Sequence, residues 1–121
     1  MRVILALNTQ SMLEEEKIMD ATGLEYVQCM GSYRGIGERS YMVNIRYMTT
    51  GQDLRIVHQL AKLYNQESIL IIDSLGKATL RYMADKPDEY VGTFIKVSRD
   101  LQPELDNYTL TRYGELYTTI L

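Results

Sequence analysis

The sequence has few of the residues that build most metal centres and redox sites. Among its 121 residues there is a single cysteine, Cys29, and a single histidine, His58. One cysteine cannot form an intrachain disulfide, and one histidine excludes most zinc sites and catalytic triads. We expect a reduced protein that holds neither a metal nor a cofactor.

Long apolar segments and concentrated charge are also missing. The apolar run Val3–Leu7 is shorter than the apolar region of a signal peptide, and no stretch is long enough to span a membrane. The formal net charge is −3, and the thirteen lysines and arginines are scattered. We therefore expect a cytoplasmic protein that binds neither nucleic acid nor membranes.

The aromatic composition is unusual, because the sequence has ten tyrosines, one phenylalanine and no tryptophan. Most tyrosines are expected in the core or an interface, and some could line a pocket for a flat or cationic ligand. The length predicts a single domain over residues 1–121 that can bury its own core.

Local patterns predict two helices. Ser11 with Glu14 three residues later forms a capping-box signature, and Gly23 is a plausible C-terminal stop. A second helix opens at Thr50–Asp53, and its apolar face recurs at three- and four-residue steps through Leu54, Val57, Leu60, Ala61 and Tyr64.

Strand patterns separate and follow these helices. They cover Val3–Leu7, Leu24–Met30, Arg39–Met48, Ile69–Ile72, Lys77–Met83, Tyr90–Val97 and a last hairpin within Tyr108–Leu121. In the third strand, the alternation places Tyr41, Val43, Ile45 and Tyr47 on the inner face. The order β-α-β-β-α-β, followed by extra C-terminal strands, predicts an α+β ferredoxin-like sandwich: an antiparallel sheet with two helices on one face.

The stretch Gly31–Glu38 is the strongest candidate for a binding site. Its glycines, Gly31, Gly35 and Gly37, allow the backbone to fold closely around a small molecule before a half-buried strand. The spacing does not match G-x-G-x-x-G, and a strand rather than a helix follows. Tyr33 and Glu38 suit a reaction that needs positioning and charge recognition more than difficult hydrolysis.

Several short motifs resemble, in order, those of the phage-encoded S-adenosylmethionine lyases, long called S-adenosylmethionine hydrolases. The resemblance covers roughly residues 25 to 119. Its motifs are Gly31-Ser32-Tyr33 with Glu38, Gln66-Glu67-Ser68 before an aliphatic strand, Gly92-Thr93-Phe94, Asn107-Tyr108-Thr109-Leu110 and Tyr113-Gly114. The resemblance implies a ferredoxin-like homotrimer with active sites between subunits. It also implies that the substrate's own carboxylate attacks its γ-carbon, giving methylthioadenosine and homoserine lactone, an anti-restriction activity in a phage.

The resemblance maps the catalytic residues to Tyr33 and Glu38. Glu38 would pair with the substrate's ammonium or sulfonium, and Tyr33 would donate its hydroxyl or offer its ring face. The predicted substrate-binding residues are Gly31, Ser32, Ser40, Gln66, Glu67 and Ser68.

Three other functions stay open at this point. The chain could be a trimeric module that binds a nucleotide-like ligand without chemistry, because fold alone does not determine activity. It could be a phage protein that binds a host enzyme. A water-using hydrolase is disfavoured, because no evident general base stands in the glycine-rich stretch.

Overall fold

Eight antiparallel strands close into a barrel in this computed structural model, which describes residues 1–33 and 35–121. Around the barrel, the strand order is β1-β3-β2-β7-β8-β6-β5-β4. The strands are β1 (Arg2–Leu5), β2 (Glu25–Tyr33), β3 (Ile36–Asn44), β4 (Ser68–Ile72), β5 (Lys77–Tyr82), β6 (Glu89–Val97), β7 (Tyr108–Thr111) and β8 (Leu116–Ile120). Two α-helices, α1 (Met12–Thr22) and α2 (Thr50–Leu63), and two 3-10 segments, Tyr47–Thr49 and Arg99–Glu104, complete the structure.

The predicted ferredoxin-like sandwich is wrong, because the sheet is closed rather than open. The extra strands do not simply extend one edge: β5 pairs with β4, and β7 pairs with β2. The β6–β8 and β7–β8 pairings then join the two ends. Closure gives every strand a hydrogen-bonded neighbour on both sides, which an open sheet cannot do.

The ends of α1 confirm the local prediction. The Ser11 side chain accepts a hydrogen bond from the Glu14 backbone N–H at 3.2 Å, and Gly23 ends the helix with a positive φ of 73°. The helix α2 begins after the 3-10 segment, so Tyr47 has left the sheet and is 92% exposed. Its predicted place on the inner face is therefore wrong. Among the described residues, neither helix has the length and apolar character needed to cross a bilayer.

Residues 40–43 of β3 are buried on both faces of the strand. Tyr41 and Val43 face the two helices in what we call the helix-covered layer, which also contains Val3, Leu5, Met19, Val57 and Ile69. Met42, on the opposite face, belongs to the barrel-interior cluster with Cys29, Ile72, Ala78 and Phe94. A closed barrel with helices outside it requires this double burial, whereas an open sheet would leave one face to solvent.

Gly92 makes the bend at which β5 and β6 shift register. The shift falls between Ala78 and Thr79, and Gly92 has a φ of 121°. A Cβ at Gly92 would lie 2.4 Å from the Ile120 carbonyl oxygen on β8. Only glycine fits this close backbone approach, so Gly92 is needed for the barrel to close here.

Candidate functional site

One end of the barrel contains a cavity of about 660 Å³, which we call the barrel cavity. All eight residues predicted for the site line it: Gly31, Ser32, Tyr33, Glu38, Ser40, Gln66, Glu67 and Ser68. The volume lies within the roughly 300–1,000 Å³ that small-molecule sites occupy. Residues from two distant stretches of sequence therefore share one ligand-sized space.

The strand pairings explain how the two stretches meet. Gly31 faces Glu38 across the β2–β3 hairpin, and Cys29 faces Ser40 one step deeper. Strand β1 lies between β3 and β4, so it brings Ser68 at the start of β4 to the same end of the barrel as the hairpin. The stretch that the sequence suggested as a loop is mostly strand, and Gly35 has the positive φ of the hairpin turn.

The outer part of the cavity is acidic. Glu38, Glu67 and Glu89 are exposed and line it, and we call these three residues the acidic rim. Among the lining residues that the structure describes, none is lysine or arginine. Three carboxylates around one opening attract and orient a cationic ligand.

Sequence reasoning missed a tyrosine–carboxylate pair on the far side of the rim. The Tyr82 hydroxyl donates to Glu89 Oε1 at 2.6 Å, and this hydrogen bond raises the pKa of Tyr82. Both residues line the cavity, as does Tyr90. No sequence motif marks them, because they meet only across the β5–β6 hairpin. Phe94 and Asn107–Thr109 also line the cavity, and these residues were already among the family-like motifs.

The deeper wall is apolar and aromatic. It includes Ile4, Leu70 and the stacked rings of Phe94 and Tyr117, whose centroids are 4.9 Å apart. The Arg2 guanidinium carbon lies 5.1 Å from the Phe94 centroid and 5.5 Å from the Tyr117 centroid. Arg2 lines a separate, smaller cavity instead of the barrel cavity. A cation therefore supports the aromatic wall from outside the barrel cavity.

A buried carboxylate ties α1 to β3. Glu15 is 1% exposed, and it accepts hydrogen bonds from Arg39 Nε at 2.7 Å, the Tyr41 hydroxyl at 3.0 Å and the Thr9 hydroxyl at 2.7 Å. Burial alone would raise the pKa of Glu15, but the hydrogen bonds from Arg39, Thr9 and Tyr41 outweigh it and lower that pKa to about 2.

A second buried carboxylate ties α2 to the end of β3. Asp53 is fully buried and accepts from Arg46 Nη2 at 2.9 Å and from the Arg46 backbone N–H at 3.1 Å. The hydrogen bonds with the Arg46 side chain lower the pKa of Asp53 to about 2. The two helices thus hold the middle of β3 and the residues just after it, and β3 carries Glu38 and Ser40 on a fixed frame.

Two polar residues that do not line the barrel cavity have structural roles. Asp73 Oδ1 accepts from the backbone N–H groups of Leu75 and Lys77, both at 2.9 Å, as a turn residue does. Cys29 is 2% exposed, and burial raises the pKa of its thiol to about 11. Within the described residues, no group of three or more His, Cys, Asp or Glu side chains is arranged to hold a metal ion.

Comparison with known proteins identifies the family. No curated protein matches the sequence at a significant level. The model of the S-adenosylmethionine lyase family, however, matches residues 6–120. The matched region contains every residue named above as lining the barrel cavity, except Ile4. Because the match covers nearly the whole chain, the chain belongs to the S-adenosylmethionine lyase family.

Proposed function

We propose that this protein degrades S-adenosylmethionine by intramolecular lactonisation, forming methylthioadenosine and homoserine lactone. The observation that supports this most directly is the barrel cavity: the family-like residues Tyr33, Glu38 and Glu67 share one space with an acidic opening. S-adenosylmethionine carries an ammonium, a sulfonium and one carboxylate, so its net charge is positive. An acidic rim complements that charge.

The reaction requires little chemistry from the protein. A substrate carboxylate oxygen forms a bond to the γ-carbon, and the γ-carbon–sulfur bond breaks with its electron pair moving to sulfur. The sulfonium becomes a neutral thioether, the ammonium is retained, and no proton is transferred. The protein's part is to hold the chain in the folded conformation in which carboxylate and γ-carbon meet, and to limit competing water.

The role of Glu38 follows from where charge changes during the reaction. The sulfonium loses its charge as the carbon–sulfur bond breaks, so a carboxylate against sulfur would stabilise the ground state more than the transition state. The ammonium keeps its charge throughout. We therefore assign Glu38 to the ammonium, where pairing fixes the amino-acid end without opposing bond cleavage.

We assign Tyr33 to orienting the same end of the substrate. It lies at the end of β2, two residues beyond Gly31, and it is 55% exposed at the opening of the cavity. Its hydroxyl can donate to the substrate carboxylate's second oxygen and leave the first to attack. Ser32, Gln66, Glu67 and Ser68 would contact the remainder of the substrate from the two sides of the opening.

Assembly and location belong to the same proposal. We expect a homotrimer in which partner subunits add residues at the exposed rim, which would place the active sites between subunits. The expected setting is the cytoplasm of a phage-infected host, where S-adenosylmethionine is made and where its removal would impair methyl-dependent restriction. No cofactor is required by this chemistry.

The test is to incubate the purified protein with S-adenosylmethionine in water enriched in heavy oxygen and to follow the products by mass spectrometry. We expect methylthioadenosine together with unlabelled homoserine lactone at the earliest times. Homoserine that is labelled from the start, with no lactone detected, would indicate a hydrolase. No turnover would favour a ligand-binding or host-binding protein.

A further inference from the structure

Ser40 has an unusual environment for a hydroxyl. It is 5% exposed, it lines the barrel cavity, and its Oγ has no hydrogen-bond partner among the described residues. A buried hydroxyl without a partner costs about 1–3 kcal/mol relative to a satisfied one. Of the buried side-chain polar atoms that lack a partner among the described residues, Ser40 Oγ is the one that lines the barrel cavity, so it is the candidate partner for a ligand that enters there.

The cavity is charged at its opening and apolar at its deeper level. The carboxylate of Glu38 is exposed, whereas Ser40, two residues along β3 and on the same face of the strand, is buried. The wall at the deeper level includes Ile4, Leu70 and Phe94. Two strand residues advance about 6.6 Å, so the change from charged rim to apolar wall occurs within the length of one substrate.

This gradient determines which end of a charged nucleoside fits at which depth. Moving an ammonium or sulfonium into an apolar wall costs far more than moving an uncharged base, because a charge loses its hydration. The charged end therefore stays at the acidic rim. The flat, uncharged end reaches the aromatic wall, where its few polar atoms need a neutral hydrogen-bonding partner.

We propose that the nucleoside end of the substrate enters the barrel first and that Ser40 Oγ forms a hydrogen bond with it, making Ser40 a specificity-determining residue for an uncharged nucleoside. This inference rests on the proposed function, since it assumes that the ligand is S-adenosylmethionine. A hydroxyl can both donate and accept, so it can bind a base nitrogen or a ribose hydroxyl.

Gly31, on the neighbouring strand, has no side chain to lie beside Ser40. A Cβ at Gly31 would lie 3.7 Å from Ser40 Oγ, 3.6 Å from the Glu38 carbonyl oxygen and 3.7 Å from the Tyr108 carbonyl oxygen. These are ordinary van der Waals distances, so alanine would fit without disturbing the fold. Its methyl group would lie beside the hydroxyl and hinder a ligand that approaches Ser40.

The experiment measures binding of two non-reacting ligands by calorimetry. Methylthioadenosine carries only the nucleoside end. S-adenosylhomocysteine carries both ends, but its neutral sulfur cannot undergo the reaction. The variants are Ser40→Ala, Gly31→Ala and Glu38→Gln, and Ser74→Ala in the exposed β4–β5 turn is the matched control.

We expect Ser40→Ala and Gly31→Ala to weaken both ligands about fivefold, the loss of one neutral hydrogen bond. Glu38→Gln should weaken S-adenosylhomocysteine alone, and Ser74→Ala should change neither. Without ligand, Ser40→Ala should be as stable as the wild type or more stable, because it removes an unsatisfied buried hydroxyl.

Three results would overturn the inference. The first is that Ser40→Ala weakens S-adenosylhomocysteine but not methylthioadenosine, which would place the amino-acid end deep. The second is that neither ligand binds the wild type at millimolar concentration. The third is that Ser40→Ala is less stable without ligand, which would make the hydroxyl structural. Failure of the proposed function would be seen separately, as methylthioadenosine binding without turnover of S-adenosylmethionine.

Discussion

The helix-covered layer and the barrel interior bury polar groups in different ways. In the layer, the carboxylates of Glu15 and Asp53 are both within 1% of full burial, and each is paired with an arginine. In the interior, Ser40 is also buried but has no partner among the described residues, and it lies beside about 660 Å³ of open volume.

This difference indicates that the two regions have different roles. The helix-covered layer is packed and its charges are satisfied, as expected of a region that stabilises the fold. The cavity end of the interior lacks packing and hydrogen bonds that would stabilise the ligand-free protein, as is common in binding sites. We expect substitutions in the layer to change stability and substitutions at the cavity to change activity.

The largest effect is expected from Glu15→Gln. The variant leaves the Arg39 guanidinium, which is 27% exposed, without its anionic partner, and breaking a pair whose carboxylate is buried costs about 3 kcal/mol. Urea denaturation would measure the free energy of unfolding. Glu14→Gln, on the exposed side of the same helix, is the control and should change it by less than about 0.5 kcal/mol. A wild-type unfolding midpoint for Glu15→Gln would contradict the stabilising role of the layer.

The free energy of unfolding should also depend on pH. The pKa of Glu15 falls from an ordinary 4.5 to about 2 in the folded protein, so its contribution is fully present above pH 4.5 and is lost as the pH falls towards 2. That contribution is about 3 kcal/mol for a group this buried. Asp53, whose pKa is lowered from 3.8 to about 2, acts in the same direction. The unfolding free energy measured from pH 6 to pH 2 should fall less steeply in Glu15→Gln than in the wild type; parallel curves would argue against this assignment.

At the cavity, Glu38→Gln should affect activity instead. Losing the charged partner of the substrate ammonium is expected to lower kcat/KM about 100-fold, equivalent to about 2.7 kcal/mol. The urea midpoint should remain within error of the wild type, because Glu38 is exposed. Glu104→Gln, at the end of the exposed 3-10 segment, is the matched control. A variant with normal turnover would exclude charge recognition by Glu38.

The smallest effect is expected from Tyr33→Phe. Removing one hydroxyl that orients the substrate should reduce kcat about tenfold, and the ring should continue to shape the opening. Tyr113→Phe, at a tyrosine that is 73% exposed and outside the cavity, should have full activity. Full activity in Tyr33→Phe as well would limit Tyr33 to packing or to contact through its ring.

The features that sequence predicted correctly are local. The Ser11–Glu14 cap and the Gly23 stop depend on groups three or four residues apart, and both are present. The meeting of Gly31–Glu38 with Gln66–Ser68 was expected only from the family resemblance. Each stretch is short, and nothing within either one specifies its distance from the other.

The features that sequence could not predict depend on remote pairing. Closure needs β2 to pair with β7, nearly 80 residues away, and no alternation pattern specifies that contact. The same closure explains why Ser40 and Met42 are buried. Their alternation with Tyr41 and Val43 indicated an outward face in an open sheet, yet that face becomes the interior of a barrel. Tyr82 and Glu89 were missed because their pairing is visible only in three dimensions.

Barrel closure also limits how copies of this protein can associate. Each strand of the described chain already has a neighbour on both sides, so backbone edges available for strand addition are confined to short stretches such as residues 36–40 of β3, which extend beyond β1. We therefore expect subunits to recognise one another mainly through side chains. An assembly of this kind would be sensitive to single surface substitutions and resistant to the edge-to-edge polymerisation that threatens open sheets.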